Sequence, residues 1–386
     1  MSKINRGSIS DLRGMVRLAV DATVGVTNVV EKMHHTVQLR QAPLGASRAA
    51  RTSGLTGFVY RSIRGTTRLL GWSLDAGMAP VMDMLPETAS NTTRDAVVAV
   101  INGVYGDHLV ETDNPLATGM GFRYQGKQLD PELANSLPGA QDKIMLFVHG
   151  LGLNDEHWTR DGINRGEALA TDLGYTPLYL RYNTGLPIAA NGRELAAMLE
   201  SLLANWPQPL NELTIVGHSM GGLVARSACH YGRTPGHDWA EHHRKLICIG
   251  SPHQGAPLER GGNWVDFVMD LSPYTAPFTR FARKRSAGIT DLRHGNITDE
   301  AQDLVPLPTG VECYVMAATL AKKPSRIHER LIGDGLVPVD SALGRSQDPA
   351  RTLEIPESHQ WTGFETGHME LLRCPAVYAQ LRYWLE

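Results

Sequence analysis

Ser219 stands in the run Gly217-His218-Ser219-Met220-Gly221-Gly222, a G-x-S-x-G arrangement. A β-branched run, Leu213-Thr-Ile-Val216, leads into it, and Leu223-Val-Ala-Arg226 leads out at helical spacing. A serine held on so sharp a turn between strand and helix takes a strained backbone conformation. The strain lifts its hydroxyl above the sheet edge, where it can attack a carbonyl carbon. Gly217 and Gly221 lack the Cβ atoms that would collide where strand and helix approach. The N-terminus of the outgoing helix adds a positive dipole beside the hydroxyl. A chance G-x-S-x-G in a glycine-rich loop would lack both flanks.

Attack on a carbonyl creates an oxyanion, and preorganised N–H donors contribute roughly 3–4 kcal/mol to such transition states. The apolar run Ile144-Met-Leu-Phe-Val148 ends in His149-Gly150-Leu151-Gly152, so the amides of Leu151 and Met220 are the expected donors. His149 is expected to orient that loop. A serine also needs a base and an acid, and in strand–elbow–helix enzymes the chain order is serine, acid, histidine. Of fifteen histidines, His359 and His368 follow the last expected strand, Thr352–Ile355. His368, in Thr-Gly-His-Met-Glu-Leu-Leu, is favoured because it directly precedes a C-terminal helix. The acid is expected after the strand Val311–Ala317. Asp334, in Gly-Asp-Gly, is favoured there, with Asp340 and Asp291 as competitors.

The elements that must position these groups follow from periodicity. From about residue 120, short β-branched runs alternate with helical stretches, the pattern of an α/β protein with a mostly parallel sheet flanked by helices. Expected strands are Phe122–Tyr124, Ile144–His149, Pro177–Tyr182, Leu213–Val216, Lys245–Ile249, Val311–Ala317 and Thr352–Ile355. Helices are expected over 10–38, 55–74, 94–104, 193–205 and 220–231. The chain thus divides into an N-terminal helical region, 1–119, and a catalytic domain, 120–386. An insertion over about 256–305, carrying Trp264 and Phe267, is expected to form a helical lid. His218, Trp158, Tyr182 and Asn183 are further candidates for contact with substrate.

With 42% hydrophobic and 20% charged residues, the 386-residue chain can bury a large core. Its formal net charge of −3 gives no pull toward nucleic acid. Residues 1–70, however, hold eleven Lys or Arg against three acids, a net +8 that leaves the remainder at −11. The stripe Leu55, Phe58, Val59, Ile63, Leu70 beside Arg61, Arg64 and Arg68 is expected to pack on the acidic remainder of the chain. Peripheral membrane contact and oligomerisation are the other readings of this region. The four cysteines, Cys229, Cys248, Cys313 and Cys374, fit neither a zinc pattern nor a disulfide framework and read as buried thiols. No apolar run is long enough to span a bilayer, and Asp11, Arg13 and Arg17 interrupt any secretory h-region. A cytoplasmic enzyme is the expectation, with membrane-peripheral contact left open.

Gly-His-Ser-Met-Gly-Gly, His-Gly-Leu-Gly, Gly-Ser-Pro-His-Gln-Gly-Ala-Pro-Leu and Gly-Asp-Gly-Leu-Val-Pro together carry a resemblance over about residues 143–386. The chain resembles bacterial α/β-hydrolase esterases and lipases. More narrowly, it is similar to the group of GPI inositol-deacylase-like and lecithin-acyltransferase-like lipases. The resemblance implies the α/β-hydrolase fold, a triad of Ser219, Asp334 and His368, and cleavage of carboxylic esters, often of lipids. It implies neither cofactor nor metal. Acyl transfer with the same triad, or a decayed hydrolase that only binds a membrane surface, are the alternatives. The family name does not fix the substrate.

Overall fold

The computed structural model describes residues 6–40, 52, 54–82, 92–160, 162–233, 237–256, 286–300, 305–322 and 333–386. The chain divides into two units, one of residues 1–91 and 108–117, the other of 92–107 and 118–386. The first residues of the third helix therefore belong with the sheet rather than with the helices before them. Trp264, Phe267 and most of the expected lid lie outside the described residues.

The smaller unit contains helices α1 (Arg6–Arg40) and α2 (Gly54–Met82), which pack on each other. Polar and charged groups bond across their contact. Glu31 and Arg64, buried at 3% and 6% exposure, form an ion pair. Thr52 Oγ1 donates to Glu31 Oε1 at 2.8 Å, and Arg64 Nη1 donates to Asn28 Oδ1 at 3.2 Å. Asn114 Nδ2 donates to the carbonyl of Gly14 at 3.1 Å, and Arg17 to that of Asp113 at 2.9 Å. Of the stripe expected to pack, Phe58, Val59, Ile63 and Leu70 are exposed and the Leu55 side chain lies outside the described residues; among the described residues of α2, Gly57 and Arg64 are the buried ones. The arginine takes the inner position because Glu31 neutralises it there.

The larger unit begins with α3 (Thr92–Glu111), whose last turn passes into the smaller one. Its strands are β1 (Gly121–Tyr124), β2 (Lys127–Leu129), β3 (Lys143–Val148), β4 (Thr176–Arg181), β5 (Glu212–His218), β6 (His243–Ile249), β7 (Glu312–Thr319) and β8 (Gln360–Phe364). They form one sheet in the order β8-β7-β6-β5-β3-β4-β1-β2. Within this sheet β1 pairs antiparallel with β2 and β4 and the remaining pairings are parallel, while a separate short pair, Thr159–Arg160 with Ile163–Asn164, is antiparallel. Alternating side chains feed two cores, as a strand buried on both faces requires. Ile144, Leu146, Val148, Leu213 and Ile215 meet α5 (Ile188–Ala204) and α6 (Met220–Tyr231) in one. Met145, Phe147 and Val216 share the other with Leu169 of α4 (Arg165–Leu173) and with Trp384. Two shorter helices, α7 (Ala287–His294) and α8 (Val339–Ala342), precede α9 (Pro375–Leu385), which carries Trp384.

One strand expectation is corrected. Thr352–Ile355 is not a strand, because Pro356 follows it and only scattered backbone bonds, such as Leu353 to Gly344 at 2.9 Å, hold it. The strand that pairs with β7 is Gln360–Phe364, so His359 precedes the last strand and His368 follows it. Cys229, Cys248 and Cys313 are buried free thiols, and Cys374 is half-buried.

Candidate active site

β5 runs without interruption into the turn that carries Ser219. The serine adopts φ 54° and ψ −122°, a region closed to most side chains, and heads α6. The neighbouring backbone holds the conformation. Ser219 N–H donates to Ile249 O at 2.8 Å, and Gly222 N–H donates to Ser219 O at 3.2 Å. A Cβ on Gly217 would strike the backbone of Gly221 and Gly222, and one on Gly221 the carbonyl of Val148. Ser219 Oγ is buried and makes no hydrogen bond among the described residues.

His368 comes from the loop after β8 and Asp334 from the loop after β7, two strands at one end of the sheet. His368 Nδ1–H donates to Asp334 Oδ2 at 2.7 Å, with both side chains buried. The other carboxylate oxygen accepts the amides of Leu336 and Val337 at 3.0 and 2.8 Å. The backbones are tied as well, His368 N–H to Asp334 O at 3.1 Å. Gly333 and Gly335, at φ 51° and 97°, allow the turn that aims the carboxylate inward. A Cβ on Gly250, next to the Ile249 that bonds Ser219, would lie 3.4 Å from His368 Cε1. That proximity brings the histidine to the same end of the sheet as the elbow. His218, one residue before the serine, tilts against the His368 ring at 4.9 Å and donates to its carbonyl at 3.3 Å. Burial and the neighbouring His368 hold His218 well below the ordinary histidine range, so it is neutral.

The loop after β3 closes the other side. A Cβ on Gly150 would lie 3.0 Å from Ser219 Cβ and 3.2 Å from His218 Nδ1. No hydrogen bond among the described residues engages the amides of Leu151 or Met220. His149 donates from Nδ1 to Gly150 O at 3.0 Å, and burial pulls it down to about 4. Its ring stacks on Tyr182 at 4.4 Å, and the Tyr182 hydroxyl donates to His149 O at 2.8 Å. Gly152 N–H donates to Thr184 Oγ1 at 3.1 Å.

The competing residues have other partners. His359 stacks on Tyr314 at 4.2 Å and bonds Cys313 O. Asp291 accepts the Ile188 amide at the start of α5 at 3.0 Å, and burial raises its pKa. Asp340 lies on α8 within 4.0 Å of Arg345. Trp158 packs on Phe147 at 4.9 Å in the second core. Asn183 is buried, bonding Gly106 O at 3.1 Å and Gly185 N at 3.0 Å. Sequence reading missed the network behind the loop, in which Arg181 at the end of β4 pairs with Asp155 and, at 2.7 Å, with Asp95. A cation closing the buried run of β4 was its available signal.

Parallel strands around a central β5, a strained strand-to-helix turn at its end, and the Asp334 and His368 loops after β7 and β8 decide the architecture. The fold is that of the α/β-hydrolases. Residues 182–312 match the PGAP1-like alpha/beta domain, about a third of the chain. The match includes the elbow and ends before Asp334 and His368. No curated protein matches the chain. Among solved structures, the mature form of the Bacillus licheniformis lipase BlEst2 is 19% identical with a TM-score of 0.42, over 64% of this chain and 93% of that one. An esterase of Pyrobaculum calidifontis is 13% identical with a TM-score of 0.43, over 79% and 96%. A thermophilic esterase of Thermogutta terrifontis is 16% identical with a TM-score of 0.38, over 64% and 90%.

Proposed function

We propose that the protein is a serine hydrolase of carboxylic esters with apolar acyl groups, working through Ser219, His368 and Asp334. The observation that carries the reading is the buried His368–Asp334 pair at 2.7 Å beside a serine strained into an elbow. Ser219 Oγ attacks the ester carbonyl carbon while His368 Nε2 takes its proton. The carbonyl oxygen becomes an oxyanion, met by the amides of Leu151 and Met220. The intermediate collapses as His368 returns the proton to the departing alcohol, leaving an acyl-serine. Water, deprotonated by the same histidine, then releases the acid. Asp334 fixes the imidazole tautomer and stabilises the imidazolium.

Labelling with a fluorophosphonate probe, beside hydrolysis of p-nitrophenyl esters of increasing acyl length, tests the proposal. Wild type is expected to label and to turn over, and Ser219→Ala to do neither while keeping its fold. Labelling retained in Ser219→Ala would sink the assignment.

A further inference from the structure

The helix α2 carries its charge pair inward and its apolar residues outward. Arg64 is taken up by Glu31 in the contact with α1. Phe58, Arg61, Gly65, Leu69 and Trp72, spaced three and four apart, together with Arg68 beside Leu69, form an exposed stripe. Phe58 is 60% exposed and Trp72 69%. Exposed aromatic rings at both ends of a stripe with arginines between them are unfavourable in water. They suit a helix lying in the plane of a lipid interface, where rings settle at headgroup level and arginines reach the phosphates. The helix is not built to cross, since among the described residues none is long and apolar enough to span a membrane.

Charge selects the occupant. α2 holds three arginines against one acid, Asp75, and residues 1–70 carry a net +8. Two copies meeting on this stripe would bring like charges together, whereas an anionic surface attracts each basic side chain.

We propose that the Phe58–Trp72 stripe of α2 docks the protein on an anionic lipid surface. The proposal does not depend on ester hydrolysis, and its test reads binding rather than turnover, so either can fail alone. The full chain is sedimented with vesicles of phosphatidylglycerol in phosphatidylcholine, and with phosphatidylcholine alone, at about 0.1 M and about 1 M salt, where the Debye length falls from ~10 Å to ~3 Å. Binding is expected only to the anionic vesicles and is expected to weaken at high salt. Arg61→Ala/Arg68→Ala should lower it about thirtyfold, from roughly 1 kcal/mol per basic residue near the surface. Phe58→Asp/Leu69→Asp should abolish it with the circular dichroism unchanged. The milder arginine pair remains readable should that variant fail to fold. Absence of binding to anionic vesicles, or binding unaltered in the arginine pair, overturns the proposal. So does self-association of the free chain that Phe58→Asp/Leu69→Asp removes without vesicle binding, which would give the stripe to a second copy.

Discussion

Asp334 divides its two oxygens between two tasks. Oδ2 takes the His368 proton bond, and Oδ1 accepts the amides of Leu336 and Val337 that shape its own loop. Asp334→Asn keeps a carbonyl oxygen for one task and loses the charge needed for the other, so turnover is expected to fall by roughly four orders of magnitude. Asp291→Asn, whose carboxylate meets the Ile188 amide at the start of α5 and the Asn296 side chain, should leave turnover within a few-fold of wild type. Likewise His368→Ala should remove nearly all activity, while His359→Ala, stacked on Tyr314, should alter it little. Steady-state kinetics on the four variants checks this, and a greater loss in Asp291→Asn or His359→Ala would move the acid or the base. The strained turn at Ser219 was legible because it needs only six consecutive residues. His368 and Asp334 were favoured on chain order, but their mutual bond spans two loops and has no local signature.

The elbow is a joint between β5 and α6, and its tolerance is set by backbone. A methyl on Gly217 meets backbone atoms of Gly221 and Gly222, which no rotamer change can relieve. Gly217→Ala is expected to cost about 1–3 kcal/mol of stability and to abolish probe labelling, checked by thermal melts and gel fluorescence. An unchanged melt with full labelling would mean the joint is looser than this. Elements with strong periodicity were legible: the apolar runs that became β3, β5 and β6 lie within a few residues of their expected bounds. Thr352–Ile355 misled because it alternates like a strand yet is stopped by Pro356, while Gln360–Phe364, with a glycine inside, reads weakly and gains its place from pairing with β7. On α2 the helix was legible, but which of its sides faces α1 was not. The Glu31–Arg64 pair decides that, and it joins residues of two helices.

Across the whole molecule, burial of neutral imidazoles sets an acid limit. Burial takes His149 and His243 from an ordinary 6.5 to about 4. Unfolded, both bind protons below 6.5; folded, they resist until near 4. The stability they lend is therefore complete above about pH 6.5 and drains as pH falls toward 4. The melting temperature should decline already between pH 6.5 and about 5, before carboxylates titrate, and His243→Gln should flatten that decline. A flat profile in wild type would refute it. The order of strands across the sheet also orders events in time. A ribosome delivers the elbow and the proposed amide donors, Leu151 and Met220, by the time β6 is made, whereas the proposed acid and base, Asp334 and His368, come only after β7 and β8, at the far edge of the sheet. Every residue of the turn that strains Ser219 is thus synthesised well before its proposed base. On the proposed roles, the triad is complete only once β8 has been made and has paired with β7, so a growing chain carries an unassisted serine until its last strand is in place.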